Sequence, residues 1–162
     1  MTTTSEVSRV GSWAVVGWVG VLARLILGLT YLTAGVDKAQ SLAVTQQATR
    51  AFRILPYDLA NAWGVFMPFL EIILGVLLVA GLLTRWTAIA GGVLMAVFIA
   101  GIISVWVRGI SIDCGCFGGG GATGATQYPL DIARDVGLLA CAVWLVVFPL
   151  TKLSADRVLW GR

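Results

Sequence analysis

Two thiols one residue apart, in Asp113-Cys114-Gly115-Cys116-Phe117-Gly118, are the residues of this chain best suited to chemistry. A disulfide asks for Cα atoms about 4.4–6.8 Å apart and a dihedral of about 90°. A Cys-X-Cys ring meets those demands with strain, and Gly115 at its middle position relieves part of it. Strained, exposed disulfides have more oxidising potentials and are the labile, catalytic ones. So short a ring also removes little unfolded-state entropy, which makes it a poor staple. Cys114 and Cys116 therefore read as a redox-active dithiol, with Asp113 beside them. Two other readings stand next to this one. The cysteines could be inert or structural, or the two thiolates with Asp113 could hold zinc or copper. The chain has no histidine, and its third cysteine, Cys141, falls in an apolar stretch well past the motif. A four-ligand Cys/His metal or iron–sulfur site cannot be built from one copy, so no metal is expected. Cys141 reads as a small apolar residue of a helix.

Charges are few enough that each one is informative. Arg24 and Glu71 stand deep inside two apolar runs, 13–35 and 61–83. At ~1.5 Å per residue both lie roughly 15 Å from the start of their run. An unpaired charge at such a depth costs at least ~2.5–3.5 kcal/mol, so each is expected to partner the other across antiparallel helices. Gly20, Gly28 and Gly75 flank them at one-turn spacing, which lets helix backbones approach. The pair either fixes packing or belongs to a proton or quinone site. Downstream of the cysteine motif, Asp131, Arg134 and Asp135 open the last apolar run. Acidic residues there favour a helix N-terminus; alternatively Arg134 raises a nearby thiol's thiolate fraction.

The elements that would position these residues follow from composition. Of 162 residues, 59% are hydrophobic and 12% charged, against roughly 25% charged in a soluble domain. Apolar blocks of about 20 residues match a hydrocarbon core roughly 30 Å thick. The expected fold class is an all-α membrane protein: a bundle of four transmembrane helices with spans at about 13–35, 61–83, 86–107 and 130–150. A polar N-terminal tail occupies 1–12, one membrane domain 13–151, and a C-terminal tail 152–162. The first run is too long for a signal-peptide core and is read as a retained helix. Thr84 and Arg85 alone join the second and third spans, which forces a tight hairpin. Ala88, Gly92, Ala96, Ala100 and Ser104 form a small-residue stripe on the third. Between 37 and 60, Val44, Ala48, Ala51, Phe52 and Leu55 recur at helical spacing opposite Gln46, Gln47, Thr49, Arg50 and Arg53. That pattern reads as an amphipathic helix lying on the membrane surface, or as a loop helix packed on the bundle. The stretch 108–129 is a Gly/Cys-rich loop that cannot form a stable helix. Tryptophans at 13, 18, 63, 86, 106 and 160 fall near span ends, as an interfacial belt requires.

Four spans put both termini on one side and both longer connections on the other. Lys and Arg tie, five near the termini and five on the connecting side, so the positive-inside rule does not decide. Five acidic residues offset the connecting side, and cysteine pairs stay oxidised outside the cytoplasm. The termini are therefore read as cytoplasmic in a bacterial cytoplasmic membrane, with the cysteine loop outside. A net charge of +3 without a basic stripe argues against nucleic-acid binding.

The chain resembles the MauE branch of the DoxX-like membrane proteins. The resemblance rests on R-L-I-L-G from Arg24, A-G-V-D-K ending at Lys38, R-I-L-P at Arg53 and P-F-L-E ending at Glu71. The I-D-C-G-C-F-G motif and A-R-D ending at Asp135 complete it. It implies a four-helix bundle tied to thiol redox outside the cytoplasm, working with a thioredoxin-like partner, with quinone as a possible electron acceptor and no cofactor assigned. The function expected is thiol–disulfide exchange through Cys114 and Cys116, supported by Asp113, Arg134 and Asp135; the alternative is a non-catalytic accessory subunit of a larger membrane oxidoreductase complex.

Overall fold

A computed structural model describes the backbone of residues 4–110, 128–148 and 155, and side chains from residue 16 onward. Every described element is a helix: α1 (Thr4–Gln40), α2 (Leu42–Ala51), α3 (Tyr57–Ala80), α4 (Thr84–Val107) and α5 (Tyr128–Val147). Three are long and apolar enough to cross a membrane: Val16–Gln40, Tyr57–Ala80 and Thr84–Val107. α5 packs among them but carries Asp131, Arg134 and Asp135 in its first two turns, so its composition alone does not mark a span.

Glycine sets the α1–α3 contact. A Cβ on Gly75 would lie 2.8 Å from the Leu32 nitrogen and 2.9 Å from the Gly28 oxygen. One on Gly35 would lie 2.8 Å from the Pro68 oxygen. The two backbones therefore touch, as small residues permit, and the facing pairs 28/78, 32/75 and 35/71 show the helices to be antiparallel. α3 ends in a Schellman turn: Leu82 N–H donates to Leu77 O (2.9 Å) and Gly81 N–H to Leu78 O (3.1 Å). Gly81 supplies the left-handed residue (φ 69°), and α4 starts three residues later. The tight hairpin forms as expected, with its turn at Gly81–Leu83 rather than Thr84–Arg85.

The small-residue stripe on α4 has a different phase from the one expected. The buried face carries Thr84, Thr87, Ala88, Gly91, Leu94, Met95, Ile102 and Val105, whereas Ala96 and Ala100 are exposed. Steps of four residues advance ~400° around a helix of 3.6 residues per turn, so the stripe drifts off any one face. Gly91 makes the close approach, its absent Cβ lying 3.1 Å from the Tyr31 ring. Gly92 faces Ala142 and Leu139 of α5.

α2 is shorter than the 37–60 stretch proposed for it, because α1 continues to Gln40. Its Thr45–Gln46 side lies against α3, where the Gln46 backbone fills the space beside Gly64. Gln46 Nε2 donates to Asn61 O, Arg50 donates to Asn61 Oδ1, and Thr45 Oγ1 donates to Lys38 O at 3.1 Å. A second small core at this end joins Ile102, Val105 and Tyr128 with Phe52, Ile110 and Ile132. Arg108 fastens it by donating to Phe52 O (2.6 Å) and Arg53 O (3.2 Å).

Candidate functional site

One face of α1 carries Arg24, Leu27, Tyr31, Ala34 and Lys38, spaced by three or four residues as an inward stripe requires. Tyr31 and Lys38 are 2% and 4% exposed. The Lys38 ammonium donates to Glu71 Oε1 at 2.6 Å and lies 5.1 Å from the centroid of the Phe98 ring of α4. Glu71 is 1% exposed, and its Oε2 has no hydrogen-bond partner among the described residues. The expected Arg24–Glu71 pair is thus replaced by Lys38–Glu71. The glycine-set register is the cause. It places Gly35 opposite Glu71, and a helical side chain leans toward its own N-terminus, which brings the Lys38 head back onto the carboxylate. The same register carries Arg24 toward the far end of α3, away from Glu71; Arg24 is buried there and has its own interactions. Lys38 lies three residues past the expected end of the first span at 35, but α1 continues to Gln40 and carries it inward.

α5 completes the site. Asp135, 2% exposed, accepts at Oδ1 from Arg134 Nε (3.0 Å) and Nη2 (2.9 Å). Arg134 Nη1 also lies 3.6 Å from Asp131 Oδ1. Asp135 Oδ2, like Glu71 Oε2, is buried without a partner. Tyr31 OH donates to Gly91 O at 2.6 Å. Tyr31, Lys38, Glu71, Arg134 and Asp135 line one recess, floored by Met95 and Phe98, whose interior has room for water but not for a ring system. Arg134 and Asp135 were expected as a helix cap or as thiol-tuning groups; Asp135 instead points its carboxylate into the protein. Tyr31 was missed altogether, although its spacing of seven from both Arg24 and Lys38 marked the same inward stripe. Asp113, Cys114 and Cys116 lie outside the described residues. Their segment leaves α4 and returns at α5, and these two flanks are tied by Tyr128 OH donating to Ile110 O at 2.6 Å. Cys141 is half-buried against the main core.

The family model for methylamine utilisation protein MauE matches residues 16–148. The chain belongs to the MauE family. The match covers α1 from Val16 onward and all of α3, α4 and α5, and includes both the cysteine motif and every residue of the recess. A methylamine utilization protein MauE of Paracoccus denitrificans is 32% identical over 98 residues, 60% of this chain. That stretch is 53% of the Paracoccus protein, so the chain spans about half the length of the curated relative it matches. No solved structure matches this MauE-family chain. Its described residues hold no cluster of three or more His, Cys, Asp or Glu placed to bind a metal ion.

Proposed function

We propose that this MauE-family chain is a membrane thiol–disulfide redox protein whose Cys114 and Cys116 exchange electrons with an extracytoplasmic thioredoxin-fold protein. The observation that carries this reading is the placement of Asp-Cys-Gly-Cys, within the family match, between two helix ends held together at one end of the bundle. The tether draws together the two ends of the segment that carries the dithiol, Ile110 and Tyr128. α5 is the fourth crossing in this reading. Leu139 and Ala142 pack against Gly92 in the middle of the apolar α4, and Asp135 is neutralised by Arg134 beside it. Both termini are then cytoplasmic, α2 lies at the outer surface, and DoxX-like kinship accounts for the shared bundle.

The chemistry is exchange of equivalents. A thiolate of the pair attacks one sulfur of the partner's disulfide, releasing the other partner sulfur as thiolate. The second motif thiolate then resolves the mixed disulfide, leaving Cys114–Cys116 oxidised and the partner reduced, or the reverse. Asp113 and Arg134 adjust the thiol environment. A single remaining thiol cannot resolve the adduct, so Cys116→Ser or Cys114→Ser should trap the partner as a reductant-sensitive band on a non-reducing gel. No adduct from either variant, with the unaltered protein functional, would overturn the exchange reading.

The second reading is an accessory subunit of a larger membrane complex. It is favoured by the narrowness of the recess, which leaves a quinone, as electron acceptor, to bind on the lipid-facing surface or on another subunit. Co-purification of both serine variants with a complex, without any adduct, would select it.

A further inference from the structure

The recess between α1, α3 and α5 has a feature that thiol exchange does not use. The described polar groups facing it are Thr30, Tyr31 and Lys38 on α1, Glu71 on α3, and Arg134 and Asp135 on α5, with Asp131 behind Arg134; the Thr30 hydroxyl donates to Ile26 O of its own helix. α4 contributes Met95 and Phe98. Each cation serves one oxygen of its carboxylate and leaves the other bare: Glu71 Oε2 and Asp135 Oδ2 are both inaccessible and, among the described residues, both without a hydrogen-bond partner. Both residues are more than nine-tenths buried. Tyr31, within electrostatic reach of the two carboxylates, donates its hydroxyl hydrogen bond to Gly91 O instead. Carboxylate oxygens are acceptors until they are protonated, and two bare acceptors beside a water-sized space call for a donor.

We infer that this recess is a proton-binding site, in which one exchangeable proton resides on the Glu71–Asp135 pair and a trapped water carries its hydrogen bond across the gap. The proton turns one bare acceptor into a donor, and the water joins that donor to the remaining acceptor. A metal cation fits less well. Hard cations seek about six or more oxygen ligands, whereas the remaining walls are Thr30, whose hydroxyl is turned to Ile26 O, and the hydrocarbon of Ala34, Met95, Phe98 and Leu138. The Lys38 ammonium, 2.6 Å from Glu71, also repels a second cation. The site stands independently of the Cys114–Cys116 chemistry.

Infrared spectroscopy of the purified full chain in detergent, in choline chloride at neutral pH, tests the inference. A carbonyl band of a protonated carboxylic acid is expected above the amide region, moving down in deuterium oxide. The chain has two glutamates, Glu6 and Glu71, and six aspartates. Carboxyl-13C glutamate or aspartate introduced by cell-free synthesis therefore assigns the band without altering a residue. Glu71→Gln and Asp135→Asn should each abolish or shift it. If those variants fail to fold, the labelled unaltered chain still decides. Absence of the band, its insensitivity to deuterium, or its persistence in both folded variants would overturn the site. Loss of the band when sodium replaces choline would assign the recess to a cation instead.

Discussion

Lys38 and Glu71 bury opposite charges 2.6 Å apart, and removing one strands the other in the protein interior. Breaking such a pair costs about 3–5 kcal/mol. Lys38→Met and Glu71→Gln should each lower the thermal unfolding midpoint in detergent by many degrees. Lys38→Met combined with Glu71→Gln should lose much less than the sum of the singles; strictly additive losses would show that the two do not couple. Cys141 offers the contrast. It is a half-buried thiol beside Leu138 and Ala142, so Cys141→Ala should cost at most about 1 kcal/mol and leave thiol-trapping unchanged. A trapping defect as severe as that of Cys114→Ser would make it a resolving thiol. At this scale the sequence made part of the site readable. A lone Glu71 in an apolar run demands a cation, and that much holds. Which cation depended on helix length and register. Arg24 seemed the match when depth was counted from span starts, but the true depth follows from where Gly28, Gly35 and Gly75 let the backbones meet.

Glycine contacts make the element scale testable in both directions. Gly35→Val or Gly75→Val would press a side chain into backbone atoms 2.8 Å away, which cannot swing aside. Either change should sharply reduce the folded fraction in membranes, measured by fluorescence-detected size exclusion. Gly137 has nothing within 4 Å of its missing Cβ, and alanine is a better helix former than glycine by roughly 0.5–1 kcal/mol. Gly137→Ala should be neutral or stabilising in the same assay. Three long apolar helices and a hairpin between the second and third were legible because long apolar blocks leave few alternatives, whereas the turn itself was placed at Thr84–Arg85 and forms at Gly81–Leu83. The inward face of α4 was not, since a four-residue repeat precesses and Gly91, outside that repeat, meets Tyr31. α2 was legible as a helix, while its seating on Asn61 and Gly64 depends on contacts between segments that no periodicity encodes.

For the whole molecule, the decisive quantity is the side on which the cysteine segment emerges. In a Cys141→Ala background, a membrane-impermeant maleimide should label reduced Cys114 or Cys116 in intact cells. Labelling that needs lysis would invert the orientation. A bundle of long apolar helices was readable from composition alone. The place of α5 was harder to read, because Asp131, Arg134 and Asp135 in its first two turns interrupt its apolar run. Its inward carboxylate becomes intelligible once Lys38, Glu71 and Tyr31 are seen to converge on it from helices distant in the chain.

The order in which the charges occur along the chain has a consequence for synthesis. Lys38 precedes Glu71 by 33 residues, so a growing chain delivers the cation to the bilayer first. Glu71 then arrives with its counterion waiting, on a helix whose glycines dock directly against the first. Asp135 comes last, with Arg134 as its immediate neighbour. Neither buried acid has to cross the lipid alone, where a bare carboxylate would cost about 2.5–3.5 kcal/mol. Swapping Lys38 and Glu71 would preserve the finished ion pair yet reverse that sequence of arrivals, separating the needs of biogenesis from those of the mature fold.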